Sequence, residues 1–215
     1  MSLSRIALQK CNRLLVATTG LRLVPEWRLH WRYTGAEDPD DDATAREPLE
    51  PRRSAARINV GCGADVREGW LNVDARPVQP DSESFLCCEL LKIHRYVENG
   101  CADEVLAQDI LEHFSWRDLP TLITRLTALL KPGGRLVVQS PDLDAILDAY
   151  RSGALSHEEA QRLLYGDQTY PQNTHRNIWS DAEARRRLVG AGLTVERVER
   201  TGYNVLCSGV KGRLP

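Results

Sequence analysis

Apolar positions along this chain fall into short, β-branched runs that alternate with stretches where leucines recur every three or four residues. The first run, Ile58 and Val60, stops at Gly61-Cys62-Gly63, as a buried strand running into a tight turn does. A second run, Trp70-Leu71-Asn72-Val73, ends in Asp74, and Phe85-Leu86-Cys87-Cys88 forms a third. Residues 103–109, 135–139, 193–198 and 203–210 carry the remaining strand patterns. Leu119, Leu122, Ile123, Leu126, Leu129 and Leu130 have helical spacing, and Lys131-Pro132-Gly133-Gly134 ends that helix before the next strand. Ser156 with Glu159, and Ser180 with Glu183, are capping-box patterns that predict helices over residues 156–165 and from 180 to about 190. Strand, helix and strand in alternation predict an α/β sandwich with a mostly parallel sheet.

The region before the first strand has a different pattern. Leu3, Ile6, Ala7, Leu14 and Leu15 sit near helical spacing with Arg5, Lys10 and Arg13 between them, which predicts a basic amphipathic helix over residues 3–18. Residues 1–35 hold six basic side chains against Glu26, a net charge of +5, whereas residues 36–50 hold seven acids against Arg46, a net charge of -6. The apolar run of the arm is far too short to span a bilayer, and no Ala-x-Ala cleavage site follows it. We therefore divide the chain into a basic amphipathic arm (1–35), an acidic linker with three prolines (36–56) and one folded domain (57–215) carrying an insertion at 141–179.

Composition narrows the function classes. A chain of 215 residues that is 42% hydrophobic and 27% charged can bury a full core, and a net charge of -2 does not suit a protein that coats nucleic acid. The six cysteines, Cys11, Cys62, Cys87, Cys88, Cys101 and Cys207, form no Cys-x-x-Cys pair or Cys/His cluster. They read as reduced core thiols of a cytoplasmic protein rather than a disulfide framework or a zinc site.

The candidate chemistry begins at the glycine turn. In a parallel sheet the turn after Val60 and the carboxylate of Asp74 face one crevice, where the turn can cradle a nucleoside and Asp74 can accept both ribose hydroxyls. A dinucleotide fingerprint needs a third glycine, but Val66 stands there, and the step from Gly61 to Asp74 is too short for a full crossover helix. A cofactor without a phosphate fits better.

The stretch 57–74 resembles the motif of class I S-adenosylmethionine-dependent methyltransferases, in particular a bacterial group reading roughly "Leu-Asn-Leu-Gly-Cys-Gly … Gly-Trp-x-Asn-Val-Asp". Its further hallmarks are matched by Leu111-Glu112-His113, by Leu130-Lys131-Pro132-Gly133-Gly134-Arg135-Leu136, and by Tyr165-Gly166-Asp167-Gln168 with Asn173-Thr174-His175. The resemblance covers about residues 57–210. It implies a Rossmann-like three-layer sandwich around a mostly parallel seven-stranded sheet with an antiparallel last strand. It implies S-adenosylmethionine as cofactor, held by Asn59, Gly61, Cys62 and Gly63 at the turn, Asp74 on the ribose, Glu89 and Leu90 on the adenine, and Gln108, Asp109 and Ile110 along the methionine half. Asn59 stands where many members have an acid. No metal is required. The aperiodic loop 165–177 is where acceptor recognition belongs, with His175 the first candidate proton acceptor and His113 the second.

The activity so implied is methyl transfer to an oxygen or nitrogen of a small polar acceptor, with a sugar of a surface-polysaccharide or secondary pathway as the first analogy. A non-catalytic S-adenosylmethionine-binding partner subunit is the alternative. A nicotinamide-dependent oxidoreductase lacks its third glycine and its Tyr-x-x-x-Lys relay here. A nucleic-acid methyltransferase is disfavoured by acidity and by the absence of a base-clamping Asn-Pro-Pro-Tyr. The expected location is cytoplasmic, with the arm offering attachment to a membrane surface or a protein partner.

Overall fold

The computed structural model describes residues 52–80 and 82–212. The arm and nearly all of the linker therefore lie outside the described residues. Seven strands form one sheet: β1 (Arg57–Val60), β2 (Leu71–Asp74), β3 (Phe85–Cys87), β4 (Ala102–Gln108), β5 (Leu130–Pro141), β6 (Leu193–Thr201) and β7 (Asn204–Lys211). Their order is β3-β2-β1-β4-β5-β7-β6. The first five are mutually parallel, and β7 runs antiparallel to both β5 and β6. The mostly parallel, seven-stranded Rossmann-like architecture is thus as expected. Because β1 lies between β2 and β4, the chain reverses direction across the sheet there, and the crevice beyond the strand ends at this switch point is where such folds bind ligands.

Side-chain alternation decides which residues make the core. Ile58 and Val60, Leu71 and Val73, Val105 and Ala107, Leu136 and Val138, and Val205 and Cys207 all join one buried cluster. The same cluster takes the apolar stripe of α1 (Leu119–Leu129), namely Leu119, Leu122, Ile123, Leu126 and Leu129, and Ala184 and Leu188 of a later helix. Helix α1 passes straight into β5. Leu130 pairs with Ala102 and Arg135 with Glu104, so the Lys-Pro-Gly-Gly segment bulges out between two paired stretches of one strand.

No α-helix connects β1 to β2, as the short spacing predicts. Two asparagines instead satisfy that connection. Asn59 donates to the Asp65 carbonyl at 2.7 Å and to Asn72 Oδ1 at 3.2 Å, while Asn72 Oδ1 also accepts from the Arg67 amide at 2.9 Å and its amide group donates to the Arg67 carbonyl at 2.9 Å. Both are buried, at 2% and 0% exposure, so the irregular backbone finds hydrogen bonds where a helix would have made its own.

The insertion is more regular than its sequence suggested. Helix α2 (Leu143–Arg151) was not anticipated; Asp142 caps it by accepting from the amides of Asp144 and Ala145. Helix α3 (His157–Tyr165) begins with the expected capping box of Ser156 and Glu159, both reciprocal bonds present. The two helices share a small core of Ile146, Leu155 and Ala160. The ends of the insertion meet, since the Leu143 amide donates to the Trp179 carbonyl at 2.8 Å and the Trp179 amide donates to the Pro141 carbonyl at 3.3 Å. Helix α4 (Asp181–Gly190) follows, with Ser180 accepting from the Glu183 amide at its start. No helix among the described residues is long and apolar enough to cross a membrane.

Candidate active site

The site lies at the C-terminal ends of the parallel strands. Gly61 (φ 66°) and Gly63 (φ 48°) adopt left-handed backbone beyond β1, which places their amides toward the end of β2. The Gly61 amide donates to the Val73 carbonyl at 2.7 Å, and the Gly63 amide donates to Asp74 Oδ2 at 2.9 Å. A Cβ added to Gly61 would stand 2.2 Å from Ile110 Cγ1. Gly61→Ala therefore combines a strained φ with a clash against a packed side chain, and we expect it to lose about 2 kcal/mol or more. In a chain of this size that lowers the thermal midpoint by about 4 °C or more. A melt unchanged within 1 °C would show that the turn relaxes freely.

Asp74 is the central polar group of this half. Its side chain is 9% exposed, and Oδ1 accepts from the Arg76 amide at 2.8 Å and faces Arg76 Nε at 3.5 Å. The guanidinium of Arg76 in turn lies over the Tyr170 ring, 4.8 Å from its centroid. Arg76 thereby joins the carboxylate at the end of β2 to the loop that follows α3, a connection for which neither residue carried a sequence signal.

The other anticipated cofactor positions divide into accessible and internal groups. Cys62 is buried, and burial, followed by the nearby Asp74 charge, pushes its thiol up to about 11, so it stays protonated. Glu89 is exposed at the end of β3 and makes no capping hydrogen bond to the 3₁₀ segment Leu90–Arg95. Leu90 is 2% exposed and belongs to the core, as Asn59 belongs to the β1–β2 connection. Gln108 accepts from Arg67 Nη2 at 3.2 Å. Asp109 follows β4 with φ 50°, uncommon for a residue with a side chain, and its carboxylate accepts from Gln139 Nε2 at 3.0 and 3.2 Å. Ile110 is partly buried beneath the glycine turn.

The structure brings the two anticipated histidines together across 62 residues of sequence. Their rings stack edge to face with centroids 5.1 Å apart. His113 ends the 3₁₀ turn Leu111–His113, and its Nδ1 lies 3.4 Å from the Thr174 carbonyl; His175 Nδ1 lies 3.0 Å from the Leu163 carbonyl. Backbone bonds hold the two segments side by side. The Arg176 amide donates to the Glu112 carbonyl at 2.7 Å, and Asn177 Nδ2 donates to the carbonyls of Leu111 and Phe114 at 2.8 and 2.9 Å. Burial is the main cause that lowers both imidazoles from their ordinary value, the neighbouring imidazole contributing at His113, so both rings are neutral at pH 7. Glu112 between them was not anticipated. It is 1% exposed, and burial pushes its carboxyl up to about 8 against a single side-chain bond from Ser140 Oγ at 3.3 Å. One atom from each of Glu112, His113 and His175 lies within 4.8 Å of the others, the group here that could gather around a small cation. The one available signal for Glu112 was a carboxylate set among Ile110, Leu111 and Phe114.

The glycine turn and Asp74 thus stand beyond the ends of β1 and β2, and the His113–His175 pair follows β4 in the chain. The profile of a family described as a methyltransferase domain matches residues 18–198. This chain belongs to that methyltransferase family. Similar solved structures share its fold at low identity. A Burkholderia thailandensis 1,6-didemethyltoxoflavin N1-methyltransferase, bound to 1,6-didemethyltoxoflavin and S-adenosylhomocysteine, is 18% identical over 74% of this chain and 72% of its own, with a TM-score of 0.51. An O-methyltransferase family protein of the same organism is 19% identical over 76% of this chain and 52% of its own, with a TM-score of 0.51. An S-adenosylmethionine-dependent methyltransferase of Mesorhizobium loti is 16% identical over 79% of this chain and 94% of its own, also with a TM-score of 0.51. No match is found among curated proteins. For this methyltransferase the fold is therefore the shared feature, and the imidazole pair is read from its own geometry.

Proposed function

We propose that this methyltransferase transfers a methyl group to an oxygen or nitrogen of a small polar acceptor, with a sugar hydroxyl as the first choice. Its cofactor is S-adenosylmethionine, whose sulfonium supplies an activated methyl group. The residues present suit that group: the left-handed Gly61 and Gly63 leave backbone exposed at the crevice, and the carboxylate of Asp74 stands 2.9 Å from the Gly63 amide. Asp74 would hold the ribose, exposed Glu89 the adenine amine, and Gln108, Asp109 and Ile110 the methionine half. Asn59, Cys62 and Leu90 would shape the pocket from behind, since each is buried.

The single observation that carries the acceptor-side reading is the His113–His175 pair, two neutral imidazoles in contact at the strand ends. With Nδ1 of His175 turned to the Leu163 carbonyl, its other ring nitrogen is left to accept a proton, whereas His113 meets the backbone of both Thr174 and Asp109. Methyl transfer to a hydroxyl needs alignment, exclusion of water and removal of one proton, and His175, ahead of His113, takes the last role. Tyr170, Asn173 and Arg176 flank His175 in the same loop and would orient the acceptor. The specific likeness to the bacterial Gly-Cys-Gly group, and its link to surface-polysaccharide or secondary pathways, belong to this proposal. Incubation with S-adenosylmethionine and a panel of nucleotide sugars and cell-extract metabolites, with S-adenosylhomocysteine release as readout, tests it. Release with sugar-bearing acceptors supports the reading; release only with nucleic acid would overturn it.

We further propose that residues 1–50 are peripheral to catalysis and serve attachment to a membrane surface or a protein partner in the cytoplasm. Deleting them should leave S-adenosylhomocysteine affinity within threefold while abolishing vesicle co-sedimentation. Aggregation of the shortened chain would instead place Leu14, Leu15 and Trp27 in the core.

A further inference from the structure

Glu112 has no part in the chemistry described so far, yet its side chain is enclosed at the end of β4, where it accepts from Ser140 Oγ at 3.3 Å. Three donor atoms, one each from Glu112, His113 and His175, lie within 4.8 Å of one another. We propose that these three side chains form a binding site for a divalent transition-metal cation such as Zn²⁺, with Glu112 as the carboxylate ligand and the two imidazoles as nitrogen ligands.

The donor set chooses the class of ion. Two imidazoles and one carboxylate suit Zn²⁺, Co²⁺ or Fe²⁺ rather than Ca²⁺ or Mg²⁺, which prefer oxygen ligands alone. Zn²⁺ binds such donors at about 2.0 to 2.2 Å, which sets tetrahedral ligand atoms roughly 3.4 Å apart, so the widest pair must close by at most about 1.4 Å from its 4.8 Å limit. The frame for that closure is already built. The Arg176 amide donates to the Glu112 carbonyl at 2.7 Å, and Asn177 Nδ2 donates to the carbonyls of Leu111 and Phe114 on either side of the Glu112–His113 pair, so the segment bearing two ligands is fixed against the segment bearing the third. Nδ1 of His175 faces the Leu163 carbonyl at 3.0 Å. A carbonyl there holds the ring proton and leaves the lone pair of the other nitrogen for a metal, the usual support of a ligating imidazole. His113 meets the backbone of Asp109 and, at 3.4 Å, the Thr174 carbonyl; the latter contact is longer than an ordinary N–H···O bond and yields readily to a cation.

The surrounding charge favours a cation as well. The Asp109 carboxylate faces all three residues and that of Asp167 faces His175. A buried carboxyl is costly to ionise without a counter-charge; a bound cation supplies one, and the carboxyl proton leaves to solvent. The neutral imidazoles described above are already in the ligating form. The sulfonium activates the methyl group by itself, so this cation has no part in the transfer. It takes the same His175 nitrogen that the proposed base uses, and the two occupants exclude each other.

Zn²⁺ titrated into the metal-free full-length protein, followed by calorimetry and by the imidazole ring-proton resonances, tests the site without any acceptor, so its outcome is separate from that of the base reading. One equivalent should bind and shift the rings of His113 and His175 together, assigned with His113→Gln and His175→Gln, while the other three histidines stay in place. Glu112→Gln and each histidine variant should weaken Zn²⁺ by about a hundredfold or more, and Ser140→Ala, which removes only the bond that steadies Glu112, by about tenfold. An affinity for Zn²⁺ within threefold of native in Glu112→Gln, or a shift confined to the other histidines, would overturn the proposal. So would a strong near-ultraviolet thiolate band on adding Co²⁺, which assigns the metal to cysteine. Should Glu112→Gln fail to fold, the native protein and His175→Gln decide: rings unmoved by one equivalent, or an affinity kept in His175→Gln, refute the site.

Discussion

Asp74→Ala should bind S-adenosylmethionine roughly ten- to a hundredfold more weakly than the native protein, in calorimetry on samples shown to be folded by their thermal melt. A hydrogen bond to a charged group contributes about 1.5 to 3 kcal/mol, and about 1.4 kcal/mol corresponds to tenfold in affinity. As the proposed ribose ligand, Asp74 would make such bonds at the end of β2, where the left-handed Gly63 brings its amide within 2.9 Å of the carboxylate. The mutation also leaves the Gly63 and Arg76 amides without their acceptor, which loosens the turn. Asp74→Asn keeps an acceptor for only one of these amides, since they donate to different carboxylate oxygens, so it too disturbs the turn while removing the charge. An affinity within threefold of native in Asp74→Ala would remove this residue from the cofactor site.

Once an acceptor is known, His175→Gln should retain S-adenosylmethionine affinity and lose about a hundredfold or more in turnover, the range associated with a missing general base. Glutamine occupies a similar volume and still reaches the Leu163 carbonyl that His175 Nδ1 meets at 3.0 Å, so the loop should stay in place. His113→Gln should cost less, because its contact with the Thr174 carbonyl is longer at 3.4 Å and it stands as the neighbour rather than the acceptor. Full activity of His175→Gln, with a flat rate between about pH 6 and 8, would leave alignment of the reactants as the whole of the catalysis.

Much of this architecture was legible from residue pattern because the strands are buried and their ends are marked by glycine or acid. Val60 before Gly61, and Val73 before Asp74, needed no knowledge of what lay beside them. The leucine stripe of α1 and the capping box of α3 are likewise local signals, each contained within a few turns of chain. Helix α2 escaped because its buried surface is small, Ile146 alone being fully enclosed, and because its cap Asp142 is satisfied from far away by Arg200 of β6 at 2.9 Å. The same reason explains the functional residues that went unseen. Glu112 gains its setting from Ser140 and His175, and Arg76 gains part of its setting from Tyr170, partners brought close by the fold rather than by the sequence. Asn59 is the instructive case in the other direction. Its place in the motif points to the cofactor, but the missing crossover helix draws its amide into the β1–β2 connection.

The bridge from Asp74 through Arg76 to Tyr170 has a kinetic consequence. If the ribose sits on Asp74 as proposed, Arg76 would have to shift from the carboxylate, and that same guanidinium lies over Tyr170 in the loop bearing His175. Entry of the methyl donor would then be linked to movement of that loop. The expected result is ordered addition, donor before acceptor, with the demethylated donor competing with fresh donor alone in product-inhibition patterns; a random-order pattern would refute the linkage.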